Sequence, residues 1–372
     1  MTAYATWSPT GQGIAYVTSN DLYLLDTIDS EPVRVTTNGS ATVFNAVPDW
    51  VYEEEVFSAD YALWFSPTSR YVAYCTFDET EVAEYKFPIY NPTDNSSTVN
   101  PYTGEVVMRY PKPGYKNPLV AIWIVDTENQ GKTWELGWDG RHTEDDSIIF
   151  EVTWVDDEKL IVKEVNRNAD DGNVVFFDFT SGNAATGTVT RKLGKNGEEG
   201  DDGWIESAQF ISPLPDASGY IDIVPTKEGY THIALFSPAN ATEPVFLTSG
   251  DWEVTSGVLG VDDQNVYFAA ANPLSTGRHV YSVALPTEGS APTGEITALT
   301  PVDDDSGMAY YNAAFSPEAG FLLLSYEGPG IPTQRVLEIG NECTLVKPFA
   351  VGSHAEPSSS LRLRLEHQRR LD

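Results

Sequence analysis

The chain has 372 residues, 41% of them apolar, with 55 acidic against 22 basic side chains and a formal charge of −33. That length supports one large repeat domain or two ordinary ones, and a mean hydropathy of −0.28 excludes both a disordered chain and a membrane-embedded one. Such a charge repels phosphate groups, so nucleic acid and anionic lipid surfaces are poor partners and no nucleic acid is expected. Plain solubility is one reading of the charge. Attraction for cationic ligands, such as a peptide amino terminus, is the other.

No apolar run of 18 residues exists to span a bilayer, and the opening MTAYATWSPTGQG has neither the basic start nor the apolar stretch of a signal peptide. The protein is then cytosolic, or the chain lacks the true beginning of a longer one. Two cysteines, Cys75 and Cys343, rule out a disulfide scaffold and a multi-cysteine zinc site. Cys75, inside YVAYCTF, is expected to be a buried thiol. Asn38, Asn95 and Asn240 each head an Asn-x-Ser/Thr triplet, and in a secretory setting they are glycosylation candidates.

Strands dominate from the first residues on. Trp7-Ser8-Pro9 precedes the strand IAYV, and DLYLLD follows. Next comes Asp49-Trp50-Val51-Tyr52-Glu53-Glu54-Glu55-Val56-Phe57-Ser58, the best short helix candidate, with Asp49 as N-cap and Trp50 and Phe57 spaced to face inward. Phe65-Ser66-Pro67 then repeats the aromatic-Ser-Pro pattern before YVAYCTF. Residues 87–113 (FPIYNPTDNSSTVNPYTGEVVMRYPKP) read as a long hairpin arm leaving the repeat, its prolines blunting the edge against indiscriminate pairing; a surface loop is the alternative.

Further strands follow in VAIWIVD, KLIVKEV, NVVFFDF, THIALFS, NVYFAAA and HVYSVAL. Weaker copies of the motif begin at Trp154 and Phe210, a degenerate one lies near Val258, and a full one returns at Phe315-Ser316-Pro317. The spacings of 58, 89, 56 and 105 residues reduce to a unit of about 50–60 with four strands each, which is a propeller blade. The expected fold is all-β: a β-propeller of about four-stranded blades, six of them recognisable, with a projecting arm and a short acidic helix. After GPGIPTQR the strand rhythm is expected to stop. Residues 1–332 are read as the propeller and 333–372 as an unrelated, disordered tail. NRNADDGN is similar to a calcium loop but has a displaced glycine and no terminal glutamate, so neither a metal nor a cofactor is expected.

DWVYEEEVFS followed by ALWFSP resembles the double-glutamate segment in the propeller of the dipeptidyl peptidase IV family and its fungal relatives. FDETEV, YPKPGYKNP, EGYTHIALF and SYEGPGIP match in the same order, so the resemblance covers residues 1–332. It implies a propeller of eight blades and a serine exopeptidase that releases X-Pro or X-Ala dipeptides, with Glu54 and Glu55 binding the substrate amino terminus. It also implies that Ser58 lines the site, that Glu53 is structural, and that an arm like 87–113 reaches a second subunit to form a homodimer. Family members reside in the secretory pathway, as vacuolar, plasma-membrane or extracellular proteins.

The chemistry fits the pair. A free α-amino group with a pKa of about 7.7–8.0 is mostly an ammonium ion at neutral pH, and two carboxylates in a partly desolvated cavity bind it by charge-assisted hydrogen bonds. Adjacent side chains diverge on a regular helix, so convergence on one amine needs a distorted turn. An amine anchored at a fixed distance from a nucleophile selects the bond two residues in.

No G-x-S-x-G elbow occurs, and His142, His232, His279, His354 and His367 show no partner pattern. The family's hydrolase domain is expected to follow the propeller, and its carbonyl-binding arginine to precede Met1. The chain alone is therefore expected to be inactive. A free-standing propeller that binds peptides or proteins without catalysis is the alternative, and a carbohydrate-active propeller with paired carboxylates a third reading.

Overall fold

The computed structural model describes residues 2–340 apart from 130, 181–184, 196, 198–202, 209, 288–289 and 303–307, together with the backbone of 344–348. The chain divides into two compact units, Met1–Tyr230 with Ala234–Val245, and Thr231–Ile233 with Phe246–Asp372. Among the described residues, six successive antiparallel meanders are the blades.

Blade 1 runs Thr2–Trp7, Ile14–Thr18, Asp21–Leu25 and Val33–Arg34. Blade 2 is built on Tyr71–Asp78, Leu119–Asp126 and Lys132–Glu135. Blade 3 runs Ser147–Trp154, Lys159–Asn166, Asp171–Asp178 and Thr186–Gly194, and Gly137–Trp138 adds a parallel strand to its outer edge. The division between units passes through blade 4 (Ser212–Pro213, Tyr220–Pro225, Thr231–Phe236, Val245–Phe246). Blade 5 is Gly260–Val261, Asn265–Ala270, His279–Ala284 and Ile296–Ala298.

Blade 6 is Tyr310–Phe315, Phe321–Gly328, Thr333–Glu338 and Thr344–Pro348. This corrects the expectation that strand rhythm stops near 333. Thr333–Glu338 pairs along Phe321–Gly328, and Thr344–Pro348 pairs with it in turn. TQRVLE is mostly exposed, so it lacks the apolar alternation by which strands are read, and its pairing alone defines it. The rest of the proposed tail, 349–372, lies outside the described residues.

The aromatic-Ser-Pro repeat has one physical cause at every full copy. In blade 1 the backbone N–H of Ser8 donates to the Gly13 carbonyl (2.9 Å) and the Gly13 N–H donates back to Ser8 Oγ (3.0 Å). Ser66 and Tyr71 repeat this at 2.8 and 3.0 Å, and Ser316 and Phe321 at 2.9 and 3.0 Å. Each serine closes a hairpin whose fourth residue is left-handed: Gly11 (φ 72°), Ser69 (φ 70°) or Ala319 (φ 51°). In the weaker blade 4 copy Leu214 holds the serine position, and the turn keeps its backbone bond to Gly219 (3.0 Å) without a hydroxyl.

A second recurrence closes three outer strands. Thr36 Oγ1 donates to Asp21 (2.8 Å) and accepts from the Leu22 N–H (2.9 Å). In the second unit Thr248 pairs with His232 Nδ1 (3.0 Å) and the Ile233 N–H (3.0 Å), and Thr300 with His279 Nδ1 (3.2 Å) and the Val280 N–H (3.2 Å). Both histidines are fully buried, so they are strand residues that anchor a threonine.

Apolar layers fill the gaps between blades of the first unit. Ala15, Val17 and Leu22 pack on Leu63, Val72 and Val125 between blades 1 and 2. Between blades 2 and 3, Phe77, Ile122 and Ile149 pack with Val162 and Phe177.

Candidate functional site

The acidic segment interrupts the inner strand of blade 2. Val43–Asn45 pairs with the far end of Tyr71–Asp78, and Leu63–Phe65 pairs with its middle, so both occupy one edge of the same strand. Between them the chain leaves the sheet, turns, and returns. Its neck is narrow: the Ala46 N–H donates to the Cys75 carbonyl (2.9 Å), the Cys75 N–H to Ala62 (2.9 Å), and the Ala62 N–H to Ala46 (2.9 Å). All three residues are fully buried, and Ala46 is left-handed (φ 64°). Burial pushes the Cys75 thiol up, so it is an inert packing group.

Tyr52–Phe57 forms a wide π-type turn rather than a regular helix. Asp49 caps the segment: its carboxylate accepts from the Val51 N–H (3.3 Å) and Tyr52 N–H (3.4 Å), and its carbonyl from the Glu53 N–H (2.9 Å). The inward face is Tyr52, Val56 and Phe57, not Trp50 and Phe57. The wider turn rotates less per residue, which moves Tyr52 rather than Trp50 onto the core side. The Tyr52 ring lies 4.6 Å from Phe77 and 5.3 Å from Phe57, and its hydroxyl accepts from the Ile149 N–H of blade 3 (3.3 Å). Trp50, half-buried, instead packs at 4.6 Å on Tyr110 at the root of the arm.

With one face locked, Glu53, Glu54 and Glu55 all project to solvent. Among the described residues none of the three carboxylates makes an ion pair or hydrogen bond. Ser58, left-handed at φ 50° and exposed, ends the turn, and Ser207 Oγ donates to the Glu55 carbonyl (3.3 Å). A wide turn also narrows the angle between successive side chains.

The arm leaves blade 2 between its second and third strands. It is a two-stranded hairpin, Glu84–Ile89 on Gly104–Arg109, so it starts slightly before the expected residue 87. The strand Glu84–Ile89 is exposed throughout, and Tyr85, Phe87, Ile89, Tyr90, Val99 and Tyr102 present large apolar surface. Asn38, Asn95 and Asn240 are exposed at three separate places. In the NRNADDGN turn, Asp170 is bound by Asn166 Nδ2 (2.7 Å) and paired with Lys195 (3.2 Å).

The profile of the dipeptidyl peptidase IV N-terminal region matches residues 1–333. The chain belongs to that family. It is 39% identical over 348 residues to a probable dipeptidyl-aminopeptidase B of Chaetomium globosum, covering 90% of this chain and 36% of that protein. A probable dipeptidyl peptidase 4 of Aspergillus clavatus is 36% identical over 360 residues, covering 94% of this chain and 44% of that protein. The dipeptidyl peptidase 4 of Porphyromonas gingivalis superposes with a TM-score of 0.77 at 22% identity, covering 98% of this chain and 46% of the other. The chain thus spans less than half the length of these relatives, and it is the propeller region of the family that it represents.

Sequence reasoning placed the glutamates but missed part of what holds them. Asp49 was expected as the cap; Tyr52, whose ring and hydroxyl lock the turn onto Phe77 and blade 3, was not. Glu79 sits in FDETEV, which the sequence offered as a family match with three acids after an apolar strand, without showing that Glu79 is the buried one.

Proposed function

We propose that this chain is the propeller region of a dipeptidyl exopeptidase, and that Glu54 and Glu55 bind the amino terminus of the peptide substrate. The observation that carries the reading is a wide turn inserted into an inner blade strand, rigid on its buried side and presenting adjacent unpaired carboxylates on the other. Such a turn stabilises nothing by its exposed charges, which repel one another; a bound ammonium relieves that repulsion. Ser58 lines the same rim. The nucleophile comes from a hydrolase domain joined in frame, and the fixed separation between amine site and serine sets the length of the released dipeptide.

Two further parts of the reading concern partners and place. The apolar arm pairs with a second copy to form a homodimer, supported by its exposed aromatic residues. A secretory setting is supported by the three exposed sequons. Among the described residues no helix is long and apolar enough to cross a membrane.

The test joins the chain in frame to a relative's hydrolase domain. Glu54→Gln and Glu55→Gln should each lower kcat/KM for an Ala-Pro chromogenic substrate by about two decades, the size of a lost charged hydrogen bond. Unchanged kinetics in both variants contradict the assignment and leave a solvated acidic turn.

A further inference from the structure

We propose that Asp49 and Glu79, together with Arg109, form a clasp that positions the acidic turn against the root of the arm, closing when the carboxyl pair takes up a proton and loosening when both are ionised. The parts meet where three elements converge. Asp49 caps the turn and is 2% exposed; Glu79, which follows the strand Tyr71–Asp78, is 7% exposed. The Glu79 N–H donates to the Thr42 carbonyl (2.9 Å), which fixes its backbone to the strand that enters the insertion.

Arg109, the last residue of the arm's second strand, donates to the carbonyls of Thr80 (3.2 Å) and Val82 (2.5 Å). Its Nε lies 3.9 Å from Glu79 Oε1, and a second nitrogen 4.0 Å from Glu84. The next residue, Tyr110, donates its N–H to the Ala83 carbonyl (3.0 Å) and carries Trp50 on its ring. Turn and arm root are therefore one packed joint with two buried carboxyls inside it.

The charges in that joint do not balance. Glu79 faces one guanidinium, one nitrogen of which is taken by two carbonyls, and the Asp49 carboxylate acts on Glu79 with no cation of its own beside it among the described residues. Burial pushes the Asp49 carboxyl up to about 6, against the two backbone N–H groups it accepts from, with Glu53 adding to the rise. Burial, then the Asp49 charge, pushes Glu79 up to about 7, with Arg109 opposing and Asp78 adding a little. Groups raised in the folded state stabilise it fully below their ordinary carboxylate range and lose that contribution as pH rises through the raised values. The clasp is thus tight in mildly acidic solution and relaxes as pH rises through about 6 to 7.

The consequence for amine binding rests on the reading of Glu54 and Glu55 given above. The clasp itself involves no ligand, so the two ideas fail separately. Hydrogen exchange on the full 372-residue chain, followed by mass spectrometry at pH 5 and pH 8 with intrinsic rates corrected, reads it directly. Segments 50–57 and 104–110 should lose protection together by about tenfold or more between the two pH values, while the core strand Lys159–Asn166 serves as reference. Glu79→Gln should flatten most of that change, and Asp49→Asn, which keeps a capping oxygen, should flatten part of it. Trp50→Leu should leave the turn responsive and uncouple the arm. A flat wild-type profile overturns the clasp, as does a full pH response retained in Asp49→Asn; that variant decides alone if Glu79→Gln does not fold.

Discussion

Ser66 shows how much one side chain can decide. It is fully buried, its hydroxyl accepts the Tyr71 N–H, and its own N–H closes the turn from the other side. Ser66→Ala leaves a buried N–H without its acceptor and should cost about 1–2 kcal/mol by urea denaturation. The equivalent change at Ser316, in a more exposed turn, should cost less; equal losses would mean that burial is not what gives the bond its value. The repeat of aromatic, serine and proline was legible in the sequence because it recurs. The reciprocal bond behind it was not, since nothing in the letters says which N–H the hydroxyl meets. The same limit explains Trp50: regular helical spacing sends it inward, and only the wide turn, an outcome of packing around Tyr52, sends it to the arm.

At the scale of elements, blades 3 and 4 are joined by buried charge. Lys163 contacts Glu151 (3.0 Å) and Asp222 (2.8 Å), and Arg191 contacts Asp222 (2.5 Å) while lying 4.0 Å over the Phe236 ring. Burial alone would raise the Asp222 carboxyl; Lys163 and Arg191 outweigh it and hold it below the usual range. Lys163→Met leaves Glu151 without its lysine and Asp222 with Arg191 alone, so about 3 kcal/mol or more of stability should be lost. A loss under about 1 kcal/mol would show the network to be replaceable by apolar packing. The arm offers a second element-scale test: light scattering on a version lacking residues 87–113, joined to a hydrolase domain, should report monomer, and an unchanged dimer refutes the arm as interface. The arm was readable because prolines and tyrosines alternate in it; Thr333–Glu338 was not, because an exposed strand needs its neighbour to be recognised. Trypsin should accordingly spare Arg335, which lies in the ladder opposite Leu324, although the sequence reads it as part of a disordered tail.

For the whole molecule, the blades were legible from period and apolar runs, whereas the pH response is visible only in three dimensions. Two sets of acids oppose each other. Asp222, and Asp21 held down by Arg34, Thr36 and the Gly39 N–H against its own burial, stabilise the fold above the ordinary carboxylate range and lose that effect as pH falls through their lowered values. Asp49 and Glu79 act with the opposite sign, their contribution falling as pH rises from the ordinary carboxylate range to about 6 and about 7 respectively. Thermal melts should therefore peak in mild acid and decline on both sides; stability still rising from pH 6 to 8 contradicts the second set. The claim that matters most is that the acidic turn recognises a peptide amino terminus. Saturation-transfer NMR on this chain, comparing an Ala-Pro-containing peptide with its N-acetylated form, tests it most directly. The account predicts transfer to the free-amine peptide, little to the acetylated one, and loss of the difference in the Glu54→Gln/Glu55→Gln double variant; equal transfer to both peptides in the wild-type chain would contradict it.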